Sequence, residues 1–150
     1  MQQIAAAAVF VTTALIWAGT ASAGETYVAH LTGASEVPPV ETRAVGNAVV
    51  MEGRNGVRHA VNLGNIVDVV AAHIHCAPEG SNGPVGITLF SGGPVGSGQL
   101  VRGPLPDPDA GNSCGWATID DALDAIAAGG AYLNVHTLAS LSGEIRGQFR

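Results

Sequence analysis

The strongest constraint on the fold is a series of eight short segments in which apolar and polar residues alternate or β-branched residues cluster. Breaks rich in glycine, proline and asparagine separate them, including 79–84, 91–94 and 104–112. Eight short strands at this spacing predict an all-β protein, an antiparallel sandwich or barrel. The predicted strands are 27–32, 46–52, 57–63, 66–76, 85–91, 97–102, 131–137 and 144–149.

One segment has the pattern of a helix instead. Thr118 is a suitable N-cap and Asp121 follows three residues later, as in a capping box. Ile119, Leu123 and Ile126 then fall on one face. Because this helix is short and stands alone in a strand-rich chain, we predict that it connects two strands within a single domain.

The N-terminal segment has the pattern of a secretory signal. Residues 4–18 are apolar and uncharged, and Ala21-Ser22-Ala23 follows as a cleavage site. The apolar run is shorter than the about 20 residues of a membrane-spanning helix. We therefore predict a signal peptide at 1–23 and a mature domain at 24–150, which is secreted or periplasmic and has no membrane span.

The charge of the chain restricts its partners. Twelve acidic residues oppose six arginines, there is no lysine, and the net charge is −6. This balance disfavours nucleic acid and anionic membranes as partners. An extracellular protein or a surface component remains as an unidentified partner.

Cys76 and Cys114 are the only cysteines. In an oxidising compartment an even pair of cysteines is typical of a disulfide. We predict that the two are bonded; two free buried thiols are the alternative.

Two histidines lie two residues apart in the fourth predicted strand. Because side chains alternate across a strand, His73 and His75 share one face, while Ala72, Ile74 and Cys76 share the other. The second set is apolar and is expected to face the core. We therefore expect both imidazoles to point outward, toward solvent.

The last two predicted strands also present a polar face. Tyr132, Asn134 and His136 alternate with Leu133 and Val135. In the final strand a second polar set alternates with Ile145 and Phe149, and it consists of Glu144, Arg146 and Gln148. If these strands are neighbours, their polar residues form one patch with the two histidines of the fourth strand.

Three imidazoles in one patch suggest a metal site. We consider His73, His75 and His136 as ligands of copper or zinc, both of which imidazole suits. Residues around them would orient the rings: Tyr132, Asn134, Glu144 and Arg146. The alternative is a polar network without metal, in which the histidines bond to Arg146, Glu144 and backbone carbonyls.

Other candidate sites are weaker. His30 and His59 are expected to be ordinary strand residues, with His59 in the core or at its rim. The acidic residues in 107–112 resemble a calcium loop but lack the downstream glutamate of an EF-hand, so a solvated loop is the simpler interpretation. No paired carboxylates or nucleophile motif are evident, and we expect no enzymatic activity.

Several of these segments together resemble the CHRD family, whose domain was first named from chordin. They occur in the family's order and span nearly all of the predicted mature chain. Two positions depart from its pattern: Cys76 stands where glycine is usual and Leu141 where proline is usual. The matching stretches are Gly33-Ala34-Ser35-Glu36-Val37-Pro38-Pro39, Ala71-Ala72-His73-Ile74-His75, Asn82-Gly83-Pro84-Val85, Tyr132-Leu133-Asn134-Val135-His136-Thr137 and Gly143-Glu144-Ile145-Arg146-Gly147-Gln148.

The resemblance implies an immunoglobulin-like antiparallel Greek-key sandwich related to Cu,Zn superoxide dismutase. It also implies an extracellular module, since chordin is an extracellular antagonist of bone morphogenetic proteins. The dismutase needs a bridging histidine and further zinc ligands after its paired histidines. Here no histidine lies between His75 and His136, and residues 77–84 offer only Glu79. We therefore expect a non-enzymatic binding or structural module, with copper or zinc binding as the alternative.

Overall fold

The structure, a computed structural model, describes residues 24–150. The predicted signal peptide at 1–23 lies outside the described residues. Within residues 24–150 the chain forms eight strands, one short 3-10 helix and one α-helix. The strands are β1 (Thr26–Thr32), β2 (Val45–Gly53), β3 (Gly56–Gly64), β4 (Val69–Cys76), β5 (Val85–Val95), β6 (Gly98–Pro104), β7 (Ala131–Thr137) and β8 (Ile145–Gln148); the 3-10 helix is Gly33–Ser35 and the α-helix is α1 (Ile119–Ala127).

All eight strands belong to one antiparallel sheet in the order β5-β4-β7-β8-β1-β2-β3-β6. The two outermost strands, β5 and β6, are consecutive in the chain, and only Gly96 and Ser97 join them. A two-residue connection between opposite edges requires the sheet to curl back on itself. The result is a nearly closed barrel, which confirms the predicted all-β antiparallel architecture.

The core lies inside this barrel and follows the period of two seen in the sequence. On β4 the fully buried residues are Val69, Ala72 and Ile74, and on β7 they include Leu133 and Val135. Phe149, just after β8, is the largest fully buried side chain. The apolar faces predicted for these strands are thus confirmed, and the alternate residues are left to face outward.

Two strand boundaries differ from the prediction. The predicted turn at 91–94 is wrong, because β5 continues through Gly92, Gly93 and Pro94, and the extra residues are absorbed by a register shift against β4. The predicted strand 66–76 begins only at Val69, because Asn65 and Asp68 adopt φ values of 54°. Asn and Asp are the non-glycine residues that enter this left-handed region most readily.

The long connection from β6 to β7 packs along the edge of β5. Asp109 accepts hydrogen bonds from the Thr88 backbone N–H at 3.0 Å and from the Thr88 hydroxyl at 2.7 Å. Trp116 packs on β5 so closely that a Cβ on Gly86 would lie 2.2 Å from its ring. The acidic loop that resembled a calcium site therefore has a structural use, since its carboxylate covers part of a strand edge.

A disulfide and a capped helix hold this connection in place. Cys76 and Cys114 are bonded, with their Cα atoms 5.7 Å apart, as predicted. Thr118 and Asp121 form the predicted capping box at the start of α1. Within residues 24–150, no helix has the length and apolar character needed to cross a bilayer.

Candidate metal centre

The register of the sheet brings the predicted polar residues onto one outer surface. Opposite His75 on β4 lies Tyr132 on β7, and opposite His73 lies Asn134. On the other side of β7, Arg146 of β8 lies opposite Asn134. β4 and the two consecutive strands β7 and β8 therefore contribute to one patch, as the alternation predicted.

The three imidazoles form a compact cluster. The ring centroids of His73 and His136 are 4.8 Å apart, and those of His73 and His75 are 5.7 Å apart. One ring nitrogen of each histidine lies within 4.8 Å of the others. Among the described residues this is the one group of histidines, cysteines and carboxylates that can surround a metal ion.

Backbone carbonyls fix how two of the rings are protonated. His75 Nδ1 lies 2.9 Å from the Gly83 carbonyl oxygen, and His136 Nδ1 lies 3.0 Å from that of Leu141. A carbonyl oxygen only accepts, so each Nδ1 carries the hydrogen and each neutral ring keeps a lone pair on Nε2. An unprotonated imidazole nitrogen of this kind can coordinate a metal ion.

The two Nε2 atoms have different surroundings. His136 Nε2 lies 3.0 Å from His73 Nδ1 and can accept a hydrogen bond from it. His75 Nε2 is buried and has no hydrogen-bond partner. Both ring nitrogens of His59 are also buried without a partner; what distinguishes His75 Nε2 is that two further imidazoles lie beside it.

The electrostatic environment keeps the rings neutral. Burial lowers the pKa of all three histidines. For His73 burial is the largest cause, the neighbouring His136 and His75 add to it, and the pKa falls to about 4. Neutral imidazoles are the form that coordinates a metal.

The cluster faces outward but is less open to solvent than the sequence suggested. His75 is only 9 % exposed, because loop 77–84 folds over it. Arg146 donates to the carbonyl of Ser81 at 2.7 Å and to Asn82 Oδ1 at 3.1 Å, and so holds this loop down. His73 and His136 remain partly exposed.

Tyr132 and Arg146 support the cluster from the side. The Tyr132 ring stacks on His75, with centroids 4.8 Å apart and an interplanar angle of 7°. The Arg146 guanidinium carbon lies 3.4 Å from the centre of the Tyr132 ring, a cation–π contact. Arg146 is thus linked to His75 through an aromatic ring.

The family model for the CHRD domain matches residues 27–149, which is nearly all of the described chain. The chain belongs to the CHRD family. Comparison with curated proteins gives no match, and comparison with solved structures gives none.

Two other polar residues predicted near the imidazoles of this CHRD domain have partners elsewhere. Glu144 accepts hydrogen bonds from the hydroxyls of Thr42 and Thr137 at 2.7 and 2.6 Å. Asn134 donates to Glu36 at 2.5 Å. Neither side chain is hydrogen-bonded to a histidine, so they support the surrounding strands and segments rather than orienting a ring directly.

Glu36 is a residue that the sequence did not identify as part of the surface. It is 6 % exposed, and burial raises its pKa to about 7, although Arg146 and Asn134 both act to lower it. The carbonyls of Gly83 and Leu141 were also missed. Any residue can supply a carbonyl, so no sequence signal could have identified them.

The two remaining histidines lie away from the centre. His59 is buried on the inner face, as expected for a core or rim residue, and burial lowers its pKa. His30 is exposed, and its Nδ1 lies 2.6 Å from Asn47 Oδ1.

Proposed function

We propose that this CHRD domain is an exported protein that binds one copper or zinc ion through His73, His75 and His136. The observation that carries the proposal is the unpartnered, buried Nε2 of His75 beside two further imidazoles. A carbonyl already accepts from Nδ1 of the same ring, which leaves Nε2 for a ligand. Metal-bound histidines commonly have this arrangement.

The dimensions of the cluster suit such an ion after a small adjustment. Metal–imidazole distances of about 2.0–2.1 Å place ligand nitrogens about 3.4 Å apart in a tetrahedral site. The histidine nitrogens lie within 4.8 Å of one another, and one pair is already at 3.0 Å. Shifts of less than about 1 Å, mainly of the partly exposed rings of His73 and His136, would complete the site.

We propose a non-enzymatic role in holding or transferring the ion. Three protein ligands leave a fourth position open on zinc, through which an ion could be exchanged. The zinc-binding half of the dismutase has no counterpart in this sequence, which argues against dismutase activity. The barrel, with its non-sequential pairings of β4 with β7 and β1 with β8, supports an immunoglobulin-like, dismutase-like Greek-key assignment.

Export is part of the proposal. The apolar segment before Gly24 and the disulfide between Cys76 and Cys114 both suit a secreted or periplasmic protein. The net charge of −6 disfavours nucleic acid as a partner.

A second candidate is a binding or structural module without metal, which recognises an extracellular protein or a surface component. One contact favours it: the 3.0 Å contact between His73 Nδ1 and His136 Nε2 lets these two rings satisfy each other with no ion. It leaves His75 Nε2 without a partner, which is why we rank this candidate second.

Metal analysis of protein purified from its native compartment, followed by titration with Cu(I), Cu(II) and Zn(II), tests the proposal. We expect about one ion per chain, and affinity weakened by more than about 100-fold in His75→Ala and His136→Ala. His30→Ala is the matched control, because His30 lies outside the cluster, and it should bind like wild type. Wild-type protein that takes up none of these ions would reject the proposal in favour of the metal-free module.

A further inference from the structure

Arg146 is a buried cation without a carboxylate partner. It is 2 % exposed, and the one ion pair found within residues 24–150 joins Arg150 to Glu79 at the surface. The guanidinium of Arg146 donates only to neutral acceptors, namely Asn82 Oδ1 and the carbonyls of Ser81 and Pro78. Buried arginines are normally paired with an anion, so an unpaired positive charge is a notable feature of this surface.

This charge lies beside the metal centre. Tyr132 is on β7, between Arg146 on β8 and His75 on β4, and its ring contacts both side chains. Contacts of 3.4 Å and 4.8 Å place the guanidinium on the order of 8 Å or less from the His75 ring, a range at which buried charges interact appreciably.

The neighbouring carboxylates compensate this charge only in part. Glu36 is near Arg146 but hydrogen-bonds to Asn134 instead, and burial favours its neutral form. Asp109 accepts hydrogen bonds from the backbone N–H and the hydroxyl of Thr88. The three ligands are neutral, so they add no negative charge of their own.

We infer that Arg146 determines the charge selectivity of the three-histidine centre, favouring a monovalent ion over a divalent one. The inference rests on the proposed function. A fixed positive charge repels a divalent ion twice as strongly as a monovalent ion at the same position. If the ion on Nε2 lies about 10 Å from the guanidinium, an effective dielectric constant of about 20 makes this difference roughly tenfold in relative affinity.

Ag(I) and Zn(II) are suitable probes, because both have filled d shells and neither changes oxidation state on binding. The variants are Arg146→Met, which removes the charge, and Arg146→Lys, which keeps the charge but loses the forked hydrogen bonds to loop 77–84. In chloride-free buffer, Arg146→Met should shift relative affinity about tenfold toward Zn(II). Arg146→Lys should keep the wild-type ratio, even if both affinities fall.

If Arg146 had only a structural role, the affinities for Ag(I) and Zn(II) would fall by the same factor in both variants. The ratio of the two affinities would then stay unchanged, which would overturn the inference. Circular dichroism and thermal unfolding show whether Arg146→Met folds. If it does not, Arg146→Gln supplies the test: it keeps hydrogen-bond donors for loop 77–84 but removes the charge, so it should shift the ratio toward Zn(II), and an unchanged ratio rejects the inference. Wild-type protein that binds neither ion would reject the proposed function itself.

Discussion

The two faces of β4 and β7 carry alternate residues of the same short strands, yet different interactions hold them. The inner face is aliphatic and fully buried, as Ile74, Leu133 and Val135 show. The outer face carries imidazoles, an amide and a phenol, whose positions depend on directed hydrogen bonds and stacking. Burial, which has no preferred direction, stabilises the inner face, whereas specific hydrogen bonds and stacking contacts fix the positions of the side chains on the outer face.

This difference shows how one strand can carry both fold and function. A residue on the inner face can be replaced by another of similar size at modest cost. A residue on the outer face depends on single atoms, such as the Gly83 carbonyl that orients His75. Substitutions on the inner face should therefore change mainly stability, and substitutions on the outer face mainly ligand binding.

The largest effect on stability is expected at the end of β4. Cys76 continues the inner-face period after Ile74, and its disulfide ties the strand to the β6–β7 connection. With a sequence separation of 38 residues, replacing both cysteines by serine should lower the free energy of unfolding by about 4 kcal/mol. Urea unfolding without reductant measures this loss. Wild type under reductant is the control and should approach the variant; a loss below about 1 kcal/mol would contradict the prediction.

Adjacent residues on β4 test the two faces directly. Ile74→Ala should lower the free energy of unfolding by about 3 kcal/mol, because Ile74 is fully buried in the barrel. His73→Ala should cost less than about 1 kcal/mol, because His73 is partly exposed and removing it leaves no large cavity. Urea unfolding of metal-free protein compares them. Equal losses would show that the outer face is as important for stability as the core.

The period of two along the strands was enough to predict both faces. It placed His73, His75 and His136 on the side opposite the aliphatic residues, and the sheet register then brought them together. Sequence could not show that β4 and β7 are neighbours, because strand order depends on the whole chain. It also predicted a turn where Gly92, Gly93 and Pro94 instead continue β5, since turn-forming residues are tolerated in a strand that bulges at the sheet edge.

What covers the outer face was the least predictable part. Loop 77–84 and the segment around Glu36 lie over it through contacts such as Asn82 Nδ2 to the Val37 carbonyl at 2.8 Å. These contacts join loops that are far apart in sequence and have no periodic pattern. A charged residue such as Glu36 is ordinarily exposed, so its burial had no signal in the sequence.

Glu36 should give an effect smaller than those of the disulfide and Ile74, and it belongs to the outer face alone. Burial raises its pKa from 4.5 to about 7, so the folded protein binds a proton that the unfolded chain has released in this range. Stability from the neutral carboxyl is therefore complete below about pH 4.5 and is lost as pH rises toward 7. Between pH 5 and pH 8 this loss should amount to about 2 kcal/mol.

Comparing wild type with Glu36→Gln isolates this contribution, because glutamine keeps the shape and cannot ionise. The histidines that titrate in the same range are present in both proteins, so their effects cancel in the difference. From pH 5 to pH 8 we expect the free energy of unfolding of wild type to fall by about 2 kcal/mol relative to that of Glu36→Gln. Ile74→Ala, on the inner face, should show an offset from wild type that does not vary with pH. A pH-independent difference for Glu36→Gln as well would mean that the carboxyl ionises normally, and that the outer face tolerates a charge where the structure places a buried acid.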